Sequence, residues 1–240
     1  MALKLSVVSS PTAPPRAKVP PLEAGDHLTR AEFHRRYEMH PEIAKAELID
    51  GVVYMPSPIH IADHGDPQAD VITWLGNYRA KTPGCRAAGN ASVFLSDDSE
   101  VQPDALMRLE MSLGGQARLT PDDYLEGAPE LAVEIAASSA SYDMHAKRVA
   151  YEREGVQEYL VLLTFERRVV WITRVGEAFE ALVADEDGTL RSRAFPGLWL
   201  DPAALLAGDI AAVLATLERG LASPEHAAFV AELAGRRPGQ

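Results

Sequence analysis

Two apolar runs, 130–136 and 158–163, flank a stretch of helical character at 142–154, and this order constrains the chain more than any other feature. Short apolar runs bounded by breakers read as strands. A helix between two strands of one sheet is a crossover, which sets those strands parallel. Gly155 supplies a C-terminal cap for the helix. In the first strand Leu131, Val133 and Ile135 alternate onto one face, while Ala132, Glu134 and Ala136 fall on the other. Glu134 is therefore an acid on an apolar strand, and a charge placed there needs a partner.

Other elements gather around this unit. Thr29 reads as an N-cap, with Glu32 at the capping-box position of a helix that runs through Phe33 and Tyr37 and ends before Pro41. Asp50-Gly51 predicts a hairpin over 48–55, closed by Pro56 and Pro58. Val71, Leu75 and Tyr78 recur at helical spacing over 67–81, widened by Ile72 and Trp74, and Pro83-Gly84 stops that helix. Further strands are predicted at 91–95, 103–109, 168–174 and 178–183. The link at 196–202 leads into helices at 202–221 and 224–235. The first presents Leu205, Leu206, Ile210, Val213, Leu214 and Leu217 on one side, to pack on the body or on a second subunit. The expected organisation is a proline-rich arm over 1–24, an α/β domain over 25–195 and a helical extension over 196–240.

The bulk numbers narrow the class. A chain of 240 residues with 47% hydrophobic content can bury one good core. No stretch approaches the roughly 20 apolar residues that span a bilayer, and the first residues lack the apolar core of a secretory signal, so a cytoplasmic location is expected. The single cysteine, Cys85, excludes an intramolecular disulfide and a multi-cysteine zinc site. A net charge of −12 works against nonspecific nucleic-acid affinity, which comes mainly from lysine and arginine. Basic groups would have to be concentrated locally: Arg30, Arg35 and Arg36; Arg79, Lys81 and Arg86; or Lys147, Arg148 and Arg153. Solvated helix and loop faces account for the same clusters.

Three segments carry chemistry-bearing residues in a telling order. The first is Glu47-Leu48-Ile49-Asp50-Gly51, followed by Ser57-Pro58 and His64. The second is Gln102-Pro103-Asp104-Ala105. The third runs from Pro129-Glu130 through Glu134, Asp143, Lys147 and Tyr151 to Glu158-Tyr159. In order and spacing, over about residues 28 to 175, they resemble the PD-(D/E)XK nuclease superfamily and, within it, a large bacterial family of restriction-endonuclease-like proteins. The superfamily's lysine would stand two residues after Glu134, where this chain has Ala136; in the resembling family it has moved to the next helix, which points to Lys147.

The resemblance implies a restriction-endonuclease-like α/β fold, a three-layer core with a mixed central sheet flanked by helices, with an N-terminal helix and hairpin and a C-terminal helical lobe. It also implies an endonuclease acting on DNA, with Mg²⁺ (or Mn²⁺) as cofactor; the apolar C-terminal helices add the expectation of a homodimer. Asp104, Glu134 and the backbone carbonyl of Ile135 would supply hard oxygen ligands. Lys147 would orient water or the scissile phosphate by its charge. Glu47 would approach the metal or its water from the side, and His64 would touch the phosphate or act as an accessory acid.

Simpler roles exist for each residue. Asp104 after Pro103 could begin a turn, Glu134 could form a structural salt bridge with Lys147 or Arg148, and Asp143 and Lys147 could form an i,i+4 pair. Glu47 could be an exposed strand residue opposite Lys45, His64 a solvent-facing loop histidine, and Tyr151 a packing residue. A zinc site from His60, Asp63, His64 and Asp66 lacks helical i,i+4 spacing. At the level of function, the alternatives are a noncatalytic interaction or regulatory module that keeps the fold, or a metal hydrolase acting on a smaller phosphate ester.

Overall fold

The computed structural model describes residues 19–55, 60–137 and 143–236. Its elements begin with α1 (Arg30–Met39), β1 (Glu47–Ile49), β2 (Val52–Tyr54), a π-helical turn (Ile61–Gly65) and α2 (Asp66–Lys81). Then come β3 (Cys85–Ala88), β4 (Val93–Ser96), β5 (Ser99–Val101), β6 (Ala105–Leu109), β7 (Arg118–Leu119), β8 (Leu125–Glu126) and β9 (Leu131–Ala136). A second π-helical turn (Asp143–Lys147) opens α3 (Arg148–Glu154), which leads to β10 (Glu158–Leu163), β11 (Arg168–Val175) and β12 (Ala178–Ala181). The chain ends in β13 (Leu190–Arg191), β14 (Trp199–Leu200), α4 (Pro202–Ala207), α5 (Ile210–Leu221) and α6 (Pro224–Arg236).

The crossover read from the sequence organises the larger part of the molecule. β9 and β10 pair in parallel, with Glu134 opposite Val161, and α3 connects them. They are central in a six-stranded sheet of order β12-β11-β10-β9-β6-β3, whose other pairings are antiparallel. The expected single central sheet is accompanied by a second sheet of six strands, ordered β2-β1-β5-β4-β8-β7. Its strands are two to four residues long, too short to display a period, so only the β1–β2 hairpin and the strand expected over 91–95, found as β4, announce themselves in the sequence. There Asp50 and Gly51 both take positive φ, 50° and 76°, as a primed turn requires.

Alternation on the strands divides the interior. Val133, Ile135, Leu160 and Leu162 turn to one face of the central sheet, where Trp74 and Leu75 of α2 and Val213 and Leu217 of α5 cover them. Leu106, Ala132, Tyr159 and Val161 turn to the other face, against Ile49, Val93 and Val101 of the second sheet and Tyr151 of α3. On the far side of the second sheet, Phe33 of α1 packs with Leu48 and Val53; Leu22, within the expected arm, is buried there too. Each fully buried aliphatic side chain contributes about 1.5–3 kcal/mol before chain entropy is counted.

The boundaries depart from expectation in two informative places. Thr29 caps α1, accepting from the Glu32 N–H at 3.4 Å, but the Glu32 carboxylate turns to Arg35 and Arg36 rather than closing the box. The helix expected over 202–221 is broken at Gly208, whose φ of 69° ends α4, and Asp209 then caps α5. The closing prolines Pro56 and Pro58 lie outside the described residues. The C-terminal helices are tied to the body by a buried hydrogen bond of 2.8 Å between Thr82 and His226 and by Arg236 donating to the Leu113 carbonyl at 2.7 Å. Their apolar face is covered by their own chain. Among the described residues no helix is long and apolar enough to cross a membrane.

Candidate active site

Between the two sheets, charges from four separate segments come together. Glu47 stands on β1, Asp104 just ahead of β6, Glu134 in the middle of β9, and Lys147 at the end of the π-helical turn before α3. All four are buried, with residue exposures of 1–2%. The Lys147 ammonium lies 2.9 Å from Glu47 Oε2 and 2.9 Å from Glu134 Oε1, so one cation joins the two sheets. Tyr151, one turn further on, donates its hydroxyl to Glu134 Oε1 at 3.1 Å. Burial pushes the Tyr151 hydroxyl well above the ordinary range, with Glu134 adding to the effect, which keeps it a donor. The other oxygen of Glu47 accepts the Gln102 backbone N–H at 2.7 Å, which ties β1 to the approach to Asp104.

Asp104 is held from three sides. Lys45 reaches its Oδ1 at 3.1 Å, His64 Nε2 lies 3.2 Å from Oδ2, and the Ile135 N–H donates to Oδ2 at 2.8 Å. Burial alone would raise this carboxyl; the hydrogen bond from His64 and the charges of Lys45 and Lys147 overcome it and hold the group well below the usual carboxylate range. Burial likewise works against a charged Lys45, but Glu47, Asp104 and Glu134 outweigh it and its affinity for the proton rises. Gln68 of α2 fixes the backbone here, donating to the Asp104 carbonyl at 2.9 Å. His64 Nδ1 is buried and has no hydrogen-bond partner among the described residues.

The structure thus brings Glu47, His64, Asp104, Glu134 and Lys147 into one network, with the Ile135 backbone at its edge. Glu47 is buried rather than an exposed strand residue, and Tyr151 bonds to Glu134 as well as packing. The alternative pairing of Lys147 with Asp143 falls outside the described side chains. Lys45 and Gln68 are the residues that sequence reasoning did not place in the site. Lys45 had a signal: two residues before Glu47 in extended chain, it shares that residue's face. Gln68 had none, because a polar residue on an amphipathic helix looks the same whether it meets water or a backbone carbonyl.

The donor set suits a hard divalent cation in its chemistry, being carboxylates with a backbone carbonyl nearby. A residue in extended strand directs its N–H and C=O to the same edge, so the Ile135 carbonyl leaves β9 on the side of Asp104. Among the described residues, however, no group of three or more His, Cys, Asp or Glu is disposed to hold a metal as it stands. Lys147 and Lys45 supply the positive charge in this arrangement. Cys85 lies elsewhere, and burial pushes its thiol up to about 12.

This fold is similar to that of a solved protein described as "a putative nuclease belonging to DUF820" from Anabaena variabilis. The two folds superpose with a TM-score of 0.57 at 17% identity, over 75% of this chain and 99% of that one. The fold is therefore that of a nuclease-like α/β protein. The chain itself belongs to the Uma2 family, described as "Putative restriction endonuclease", whose family model matches residues 30–203. No curated protein matches it significantly.

Proposed function

We propose that this chain is a divalent-metal-dependent endonuclease that hydrolyses phosphodiester bonds of DNA, with Mg²⁺, or Mn²⁺ in its place, held by Asp104, Glu134 and the Ile135 carbonyl. The observation that carries the reading is the buried Lys147 ammonium shared by Glu134 and Glu47 at 2.9 Å, beside an Asp104 kept ionised. A simple structural pair does not need three acids and two lysines from two sheets at one point. When bound, the ion would supply Lewis-acid charge that eases ionisation of the attacking water and absorbs charge on the leaving oxygen. Asp104 would offer the oxygens that now meet Lys45 and His64, and Glu134 the oxygen that now meets Lys147 and Tyr151. Glu47 fixes the Lys147 ammonium, which would face the phosphoryl oxygens and stabilise the charge that develops there, while Glu134 would serve as a ligand. The unpartnered Nδ1 of His64 leaves that ring free to meet a phosphate oxygen or to pass a proton to the leaving group.

A second reading is favoured by the closure of the same network: the lysines already neutralise the acids, as they would in a noncatalytic module that kept the fold. Calorimetry with Mg²⁺ and Mn²⁺ on wild type and Glu134→Ala, followed by cleavage assays on duplex and single-stranded DNA, separates the two. The nuclease reading expects metal binding and cleavage in the wild type, both lost in Glu134→Ala. A folded wild type that neither binds metal nor cuts supports the module. The homodimer expected from the C-terminal helices draws no support from their apolar face, which the body covers; sedimentation of the full chain tests it directly.

A further inference from the structure

A second charged feature lies at the edge of the central sheet. A cleft of about 410 Å³ between β3, β6 and the β8 region of the second sheet is lined by Arg79, Arg86 and Arg108, with Ser92, Asp123 and Tyr124 among its other residues. Arg86 and Arg108 are directly opposite each other in the β3–β6 ladder and so project from the same face. Like charges placed opposite across two strands destabilise a sheet. Arg86 pairs with Glu110 at 2.5 Å; the side chains of Arg79 and Arg108 form no ion pair or hydrogen bond among the described residues, and Arg108 feels Glu110 and Glu130 only through space. Burial, and then the neighbouring Arg86, lower the proton affinity of Arg108 from its ordinary value, against the opposing pull of Glu110 and Glu130. A chain with a net charge of −12 thus gathers three arginines around one cavity, two of them without an ion pair among the described residues.

We propose that this cleft binds the phosphodiester backbone of a nucleic-acid strand and leads it toward the Asp104–Glu134 site. Three guanidinium forks suit phosphate oxygens, which each can engage through two hydrogen bonds. The placement fits. Asp104, Leu106 and Arg108 alternate onto one face along β6, so the arginine stands about 13 Å from the acid at roughly 3.3 Å per residue. That span is about four steps of a strand rising 3.4 Å per nucleotide. The direction of the strand rests on the nuclease reading; the anion site itself does not.

The test is fluorescence anisotropy of a labelled duplex and a labelled single-stranded oligonucleotide across a salt series, without divalent metal. Wild type, Arg108→Gln, Arg79→Gln and the double variant are compared, with Arg168→Gln, an exposed arginine of β11 toward the other end of the central sheet, as a control. Each arginine substitution should weaken binding and reduce the slope of log K against log salt by about 0.9 on duplex or 0.7 on single strand. Arg168→Gln should leave that slope unchanged. Thermal melting guards against misfolding: relief of repulsion at Arg108 should leave the melting temperature equal or higher. Unchanged slopes in the arginine variants overturn the proposal, as does inorganic phosphate displacing the oligonucleotide in the low millimolar range, or polyglutamate binding as tightly as DNA. Arginine-dependent binding without any cleavage would support the cleft and count against the nuclease. Cleavage whose KM ignores Arg108→Gln would keep the nuclease and remove the cleft.

Discussion

Lys147 carries its charge where water does not reach, with 2% of its side chain exposed, and two carboxylates answer it. Lys147→Ala strands Glu47 and Glu134 without that cation and should cost about 3–5 kcal/mol in urea unfolding, far above a surface i,i+4 pair. A loss below about 1 kcal/mol would show that the pocket is wetter than its geometry. In an active wild type the same substitution should cut cleavage by about two or more orders of magnitude at metal affinity largely retained. A different buried acid sets a pH dependence. Glu158 accepts from Ser192 at 2.6 Å and from the N–H groups of Arg193 and Ala194, yet burial outweighs these bonds and raises its carboxyl above the ordinary value of 4.5. A raised acid contributes stability that is complete below the unfolded value and is lost as pH rises through the folded one. Glu158→Gln keeps an acceptor for both N–H groups and removes the charge. Measured against wild type, its relative stability should improve as pH rises from about 4.5 toward neutrality. Asp104 runs the opposite way, its contribution fading as pH falls below its ordinary 3.8. A stability difference independent of pH would show that Glu158 is ionised without cost.

Elements report how far pattern alone reaches. β9, α3 and β10 were legible because six-residue apolar strands and a helix capped by glycine leave few alternatives. β5, β7 and β8 were not, because strands of two or three residues exist only through the neighbours that pair with them. The same limit hid Lys45: Glu134 stands on a long strand of the central sheet and Asp104 just ahead of another, while Lys45 reaches Asp104 from the chain before β1 of the second sheet. The break between α4 and α5 has a glycine signal, overridden in a sequence reading by six apolar residues spaced as one face. It can be tested by two glycines that differ in what constrains them. At Gly208 a Cβ meets nothing within 4 Å but φ is 69°, so Gly208→Ala should cost only the left-handed strain, about 1–2 kcal/mol. At Gly220 a Cβ would lie 2.3 Å from the Gly197 carbonyl oxygen and 2.7 Å from the Trp199 ring, with backbone as the first obstacle. Gly220→Ala should therefore be the more damaging of the two in chemical unfolding, although it sits in a helix where alanine is intrinsically favoured. The reverse order would mean that α5 can slide on β14.

For the molecule as a whole, the question is whether the C-terminal helices form a separate lobe or complete the core. Composition and periodicity could show that 202–221 has an apolar face, but not whose surface would cover it. Here Val213 and Leu217 of α5 and Leu233 of α6 are buried in the same cluster as Trp74, Leu75 and Trp171, against the face of the central sheet opposite the charged site. Polar bonds reinforce the contact: Trp74 donates its indole N–H to the Trp199 carbonyl at 3.0 Å, and Thr82 meets His226 at 2.8 Å. Ending the chain after Gly208 removes α5 and α6 together and opens that face to water. The truncated protein should bind a hydrophobic dye, elute as aggregate in size exclusion and lose its cooperative melt, because α2 would keep only one of its two packing surfaces. His226→Ala makes the smaller version of the same cut. It leaves the Thr82 hydroxyl buried without its partner, and the expected cost is about 1–3 kcal/mol with the fold retained. If the truncated chain instead remains a monomer with an unchanged melting temperature, α5 and α6 are an appendage, and the support that holds α2, and through Gln68 the backbone of Asp104, must come from the sheet alone.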